Sequence, residues 1–139
     1  MSQKIDHIGM VVKNTEEMIT LFSNLFGFEV TESIAFPEQG FKSTLISKEE
    51  VTIELIEPMG TEGIIQKFVQ KQGWGLHHLS IRVDDIESEM KLLKIKGVKL
   101  VNDEPQVVKG TSNKSAFIHP HSTKGLLIEL VRRSNSDRG

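Results

Sequence analysis

The sequence predicts an α+β fold built from two tandem βαβββ modules, because one pattern occurs twice. Asp6-His7-Ile8-Gly9-Met10-Val11-Val12 and His77-His78-Leu79-Ser80-Ile81-Arg82-Val83 each read as a strand that opens on a histidine. Each is followed by a capped amphipathic segment and a glycine, and each half ends in an apolar strand with a central glutamate, Ile53-Glu54-Leu55 or Ile128-Glu129-Leu130. Such repetition indicates a duplicated unit. We therefore expect the two modules to form a curved eight-stranded sheet around a metal-binding cleft.

Composition limits the kinds of partner that the protein can have. The chain has 139 residues, 37% of them hydrophobic, which suits one domain with its own core. A formal net charge of −2 gives no indication of nucleic-acid binding. Cysteine is absent, so a metal ion would be held by oxygen and imidazole. No stretch approaches the roughly 20 apolar residues of a membrane span, and we expect no membrane partner and a cytoplasmic location.

Module one is expected at about residues 4–58. A first strand, Ile5 to Val12, precedes a helix that Asn14 caps, with Glu17 three residues later as in a capping box. Gly27 is placed to end this helix in the left-handed conformation. Three strands are then predicted, at residues 28–34, 42–47 and 51–56, which completes the βαβββ order.

Module two is expected at about residues 75–132, after a linking helix at about residues 60–72. A strand at residues 76–83 leads to a helix that Asp84 or Asp85 caps and Gly97 ends. Strands are predicted at residues 98–101, 114–118 and 126–131. The polar tail, residues 133–139, has no apolar periodicity and is predicted to be frayed.

Four residues of the repeat are candidate ligands of one divalent metal ion: His7, Glu54, His78 and Glu129. A single histidine in a strand is usually a hydrogen-bonded structural residue, but a glutamate inside an apolar strand needs a cation or hydrogen bonds. Side chains alternate along a strand, so only one of His77 and His78 can face the interior. Alignment of the two copies selects His78. Imidazole with carboxylate suits Zn, Co, Mn, Ni or Fe(II).

Several phrases of the sequence resemble the methylmalonyl-CoA epimerase family, which belongs to the vicinal oxygen chelate superfamily. The similarity extends from about residue 4 to residue 132. The phrases that carry it are Gly75-Leu76-His77-His78-Leu79, Val83-Asp84-Asp85-Ile86, Asn102-Asp103-Glu104-Pro105, Ile118-His119-Pro120 and Ser122-Thr123-Lys124-Gly125-Leu126-Leu127-Ile128-Glu129-Leu130.

The resemblance implies a glyoxalase-like fold and a metal-dependent epimerase. It implies that His7, Glu54, His78 and Glu129 bind one divalent ion per site, which we expect to be Zn, Co, Mn or Ni. The expected reaction interconverts the C2 epimers of methylmalonyl-CoA through a metal-stabilised enolate, and such a proton transfer needs acid/base groups at the carbon. An acyl-CoA substrate and a homodimer are implied as partners.

Ser43 is a departure from the family pattern. A well-known branch of the family has a glutamate three residues after the Glu-Gln-Gly turn, where this chain has Ser43. Serine is not a base of ordinary strength without activation, so we expect Glu54 or Glu129 to double as the base, unless the chain performs a neighbouring reaction. We assign Ser43 and His119 to substrate-binding positions, with a structural hydrogen bond as the alternative role of His119.

Other functions in the same superfamily remain open at this point. Glyoxalase I, which isomerises a hemithioacetal, uses a similar ligand set. A bleomycin-resistance-type protein would bind a ligand in the same cleft without catalysis, and its members generally lack the complete ligand set. An extradiol dioxygenase fits less well, because its Fe(II) ligands are two histidines and one glutamate.

Overall fold

The computed structural model describes residues 3–134, which form two compact units. One unit comprises His7–His77, and the other comprises, within the described residues, 3–6 together with 78–134. None of the helices within residues 3–134 is long and apolar enough to cross a bilayer.

The first module has the predicted βαβββ order. The elements are β1 (Lys4–Val11), α1 (Thr15–Phe26), β2 (Glu29–Phe36), β3 (Phe41–Lys48) and β4 (Val51–Pro58). Strands β1 and β4 are parallel, and β4, β3 and β2 follow as antiparallel neighbours. Asn14 caps α1 by accepting a hydrogen bond of 3.0 Å from the backbone N–H of Glu17, and Gly27 ends it at φ 76°.

The second module repeats this topology. A linking helix, α2 (Ile64–Gln72), precedes it. The elements are β5 (Gly75–Arg82), α3 (Ile86–Ile95), β6 (Gln106–Val107), β7 (Lys114–Ile118), a short 3-10 helix (Pro120–Thr123) and β8 (Ile128–Arg132). Strands β5 and β8 are parallel, and β7 and β6 continue the sheet in antiparallel order. Asp85, rather than Asp84, caps α3 by accepting a hydrogen bond from the N–H of Ser88. The prediction of an α+β fold with a repeated βαβββ module is confirmed.

The prediction of a strand at residues 98–101 is wrong. Leu100 forms only a single bridge with Ile118, and the strand that pairs along β7 is β6. The polar segment Asn102 to Pro105 separates the two, and it interrupts the edge because Pro105 has no N–H and Asn and Asp disfavour strands. Val98 and Leu100 instead pack on the core of the module.

The predicted frayed tail begins too early. Arg133 donates two hydrogen bonds to Asp6, and the N–H of Ser134 donates to Asn113 Oδ1 at 2.9 Å. These two residues are therefore held against their own unit. The rest of the predicted tail, residues 135–139, lies outside the described residues.

In each module, one face of the sheet packs against the helix. Beneath α1 the buried cluster consists of Val12, Ile46, Ile53 and Leu55. Between α3 and the sheet it consists of two residues of the helix and four others: Ile86 and Met90, with Val83, Ala116, Ile118 and Leu130. Burial of such aliphatic side chains contributes about 1.5–3 kcal/mol each, so the helix-covered faces hold each module together.

In each module, the opposite face of the sheet carries the polar residues of the repeat. Gly9 is the ladder partner of Glu54, and Ser80 is the ladder partner of Glu129. Because side chains alternate along a strand, the histidine two residues before each partner shares a face with the glutamate. His7 and Glu54 therefore share one face in module one, and the corresponding pair does so in module two.

Candidate metal centre

In module one, the side chains of His7 and Glu54 meet across the parallel β1–β4 ladder. His7 Nε2 lies 3.3 Å from Glu54 Oε1, and the two side chains are 7% and 17% exposed. The alternation of β1 places His7 on this face, away from the core beneath α1. A shielded imidazole and a shielded carboxylate thus converge from neighbouring strands.

In module two, His78 and Glu129 repeat this arrangement. His78 Nε2 lies 3.7 Å from Glu129 Oε1, with side-chain exposures of 5% and 14%. His77, the adjacent residue, makes an edge-on contact with the ring of Phe68, at 4.6 Å between centroids. This packing contact gives His77 a structural role, as expected for the histidine that the alignment of the repeats rejects.

The chemistry and spacing of these donors fit a divalent metal ion. Ligands at about 2.0–2.2 Å from one ion lie about 3.0–3.5 Å from each other; the His7–Glu54 separation of 3.3 Å falls in this range, and the His78–Glu129 separation of 3.7 Å is slightly longer. A good N–H···O hydrogen bond is shorter, about 2.7–3.2 Å. Neutral imidazole and carboxylate are also the donors that Zn, Co, Mn and Ni accept, so His7 with Glu54, and His78 with Glu129, could each supply two ligands.

Ser43 contacts the same glutamate from the other side. Its hydroxyl donates to Glu54 Oε2 over 2.6 Å, and the serine itself is buried, with 8% of its surface exposed. The sequence predicts a substrate-binding position for Ser43 and does not predict this contact. The signal that could have found it is the antiparallel β3–β4 register, which brings Ser43 and Glu54 onto one face.

A buried ion network, also missed from the sequence, surrounds Asp6. Its side chain is 1% exposed and accepts hydrogen bonds from Arg82 Nε at 2.7 Å and from the Arg133 guanidinium at 2.6 Å and 3.1 Å. Because Asp6 immediately precedes His7 in β1, these arginines fix the strand one residue before a candidate ligand. The residues come from widely separated parts of the chain, so no local pattern predicts their meeting.

Glu57 connects the end of β4 to the first turn of α1. Its Oε1 accepts a hydrogen bond of 2.7 Å from the N–H of Thr15. Burial raises the pKa of Glu57, but the hydrogen bond from Thr15 and the charge of Lys42 outweigh it, so that the pKa lies below its ordinary value. The ionised carboxylate therefore stabilises the N-terminus of α1.

His119 has the structural contact that sequence analysis gave as its alternative role. It follows β7, and its Nδ1 accepts a hydrogen bond of 3.1 Å from the N–H of His121 at the start of the 3-10 helix. Substrate binding by His119 stays a prediction.

The sequence and the fold are similar to those of known proteins. The sequence profile of the Glyoxalase/Bleomycin resistance protein/Dioxygenase superfamily matches residues 6–117. The mitochondrial methylmalonyl-CoA epimerase of Dictyostelium discoideum is 33% identical over 132 residues, covering 94% of this chain and 78% of that protein.

Solved structures with a similar fold also include methylmalonyl-CoA epimerases. The methylmalonyl-CoA epimerase of Mycobacterium tuberculosis has a TM-score of 0.86 at 28% identity, covering 95% of this chain and 89% of that one. A methylmalonyl-CoA epimerase in complex with methylmalonyl-CoA and NH4+ has a TM-score of 0.87 at 26% identity, covering 97% of each chain.

The chain belongs to the Glyoxalase/Bleomycin resistance protein/Dioxygenase superfamily. Within that superfamily its relatives include methylmalonyl-CoA epimerases, so the predicted resemblance to that family is confirmed. The prediction of an epimerase-like isomerase is confirmed with it.

Proposed function

We propose that this protein epimerises methylmalonyl-CoA at C2 with one divalent ion held by His7, Glu54, His78 and Glu129. The observation that carries the proposal is the recurrence of one shielded histidine–glutamate pair in each module, at equivalent ladder positions. The methylmalonyl-CoA epimerases among its relatives supply the substrate class.

The proposed ligands meet the requirements of a dication. Two carboxylates balance its charge, and two neutral imidazoles add donors without further charge. When bound, such an ion stabilises the negative charge that develops on a carbonyl oxygen as the neighbouring C–H loses its proton. The metal is expected to be Zn, Co, Mn or Ni, in agreement with the nitrogen and oxygen donors present.

Proton transfer at C2 requires an acid/base group on each side of the carbon. Ser43 does not have the basicity for this role, because a hydroxyl needs an activating base to lose its proton. Glu54 and Glu129, one from each module, are the proposed acid/base carboxylates.

The remaining assignments stay predictions from the sequence. Ser43 and His119 are proposed to contact substrate, and the protein is proposed to be a cytoplasmic homodimer. Two alternatives make different predictions for the purified protein. A glyoxalase I would isomerise a hemithioacetal, and a bleomycin-resistance-type protein would bind a ligand without turnover.

A comparative assay tests the proposal. Protein loaded with Co²⁺ is supplied with a single C2 epimer of methylmalonyl-CoA, and separately with the hemithioacetal of methylglyoxal and glutathione. We expect the other epimer to form and the hemithioacetal to persist. Isomerisation of the hemithioacetal alone would assign glyoxalase I, and tight binding without turnover of either compound would assign a sequestering protein.

A further inference from the structure

We propose that Ser43 is a positioning residue that determines which carboxylate oxygen of Glu54 is presented to the metal ion. This inference rests on the proposed metal site, since it concerns one of its four ligands. It assigns Ser43 a role in metal binding, in a place where a branch of the family has a glutamate.

The strand that carries Glu54 lies between two neighbouring strands. This strand, β4, pairs with β3 on one side and with β1 on the other. Ser43, in β3, is the ladder partner of Ile56, which lies two residues after Glu54 in β4, so the side chains of Ser43 and Glu54 share a face. His7 reaches the same carboxylate from β1.

The two carboxylate oxygens are consequently distinguished by their contacts. Oε2 accepts the hydroxyl of Ser43 over 2.6 Å, a length typical of a charge-assisted O–H···O⁻ bond. Oε1 lies 3.3 Å from His7 Nε2, the other proposed ligand of module one. The hydroxyl thus holds one oxygen towards β3 and turns the other towards His7.

This contact occurs where water competes little. Ser43 is 8% exposed and the Glu54 side chain is 17% exposed, so the hydrogen bond fixes the carboxylate more firmly than it would at a surface. A carboxylate held in this way binds an ion through one oxygen. Removing the partner of a metal ligand typically weakens metal affinity by about 10- to 100-fold.

Co²⁺ affinity and the visible absorption spectrum of the Co²⁺-loaded protein test the proposal, since neither depends on substrate. Ser43→Ala should weaken Co²⁺ binding by about 10- to 100-fold and shift the absorption bands, because the geometry of the carboxylate changes. Ser43→Thr, which keeps the hydroxyl, should recover most of the affinity and the spectrum of the unmodified protein.

Ser47→Ala is the matched control. Ser47 lies on the same strand and shares a cross-strand hydroxyl contact of 2.8 Å with Thr52, so this variant removes a comparable contact at the other end of β3. It should bind Co²⁺ as the unmodified protein does. An unchanged Co²⁺ affinity and spectrum in Ser43→Ala would overturn the proposal.

Glu54→Gln separates this failure from failure of the metal site. If Glu54→Gln loses Co²⁺ affinity and Ser43→Ala does not, the ligand stands and only the positioning role of Ser43 is wrong. If both variants bind Co²⁺ unchanged, Glu54 is not a ligand and the proposed function loses its metal site as well.

Discussion

His78 Nε2 lies 3.7 Å from Glu129 Oε1, with both side chains largely shielded from water. The same pair of residue types meets at the equivalent ladder position in module one. The repeat in the sequence is thus a repeat of chemistry as well as of topology. Each half of the chain supplies one imidazole and one carboxylate.

Replacing the histidine of module two should abolish metal binding. His78→Gln removes a proposed ligand while keeping a polar side chain, and we expect Co²⁺ affinity, measured by competition with a chelating dye, to fall by more than roughly 100-fold. The adjacent His77→Gln is the control, because His77 packs on Phe68 and should not affect affinity. Equal losses in both variants would contradict the choice of His78 as the ligand.

Asp6→Ala should destabilise the protein strongly. Arg82 and Arg133 donate hydrogen bonds to this carboxylate, which is 1% exposed. The substitution removes the negative charge that neutralises both arginines. Breaking such a pair costs about 3–5 kcal/mol, which should appear as a lower urea midpoint in unfolding followed by circular dichroism.

An exposed ion pair provides the control for this measurement. Asp103 is fully exposed and its carboxylate lies 4.0 Å from Lys94 Nζ, so Asp103→Ala should leave the urea midpoint close to that of the unmodified protein. A urea midpoint for Asp6→Ala that matches this control would show that the buried network does not stabilise the fold.

Glu57 should make stability depend on pH. Its pKa is lower in the folded protein than its ordinary value, so its contribution is present above about pH 4.5 and is lost as pH falls through the folded-state pKa. Glu57→Gln should therefore cost about 0.5–1 kcal/mol at pH 7, and this cost should shrink as the pH falls below about 4.5. Thermal unfolding of both proteins across this range measures the difference, and a constant difference would contradict the role of the carboxylate.

Local signals in the sequence were sufficient for most of the fold. Asn14 and Gly27 mark the ends of α1, and the alternation of β5 separates His78 from His77, because capping and strand periodicity depend on neighbouring residues. The predicted edge strand lies too early in the sequence because Val98 and Leu100 are apolar at alternate positions; both pack on the core of the module, although only one bridge forms.

The contacts that support the candidate site were beyond local signals. Ser43 reaches Glu54 only through the β3–β4 register, and Asp6 meets Arg133 from the opposite end of the sequence. Strand register and long-range ion pairs are settled by the packing of the whole module. A single sequence therefore points to the candidate ligands, whereas the contacts that hold them come only from the structure.

Hydrogen exchange at C2 of methylmalonyl-CoA tests the central claim most directly. Metal-loaded protein is incubated with the substrate in D₂O, and the C2 hydrogen is followed by NMR beside Glu129→Gln and metal-free protein. We expect rapid incorporation of one deuterium with the loaded protein, and rates at least about 100-fold lower in the other two samples. A C2 hydrogen that remains unexchanged over hours with the loaded protein would contradict the proposed epimerase.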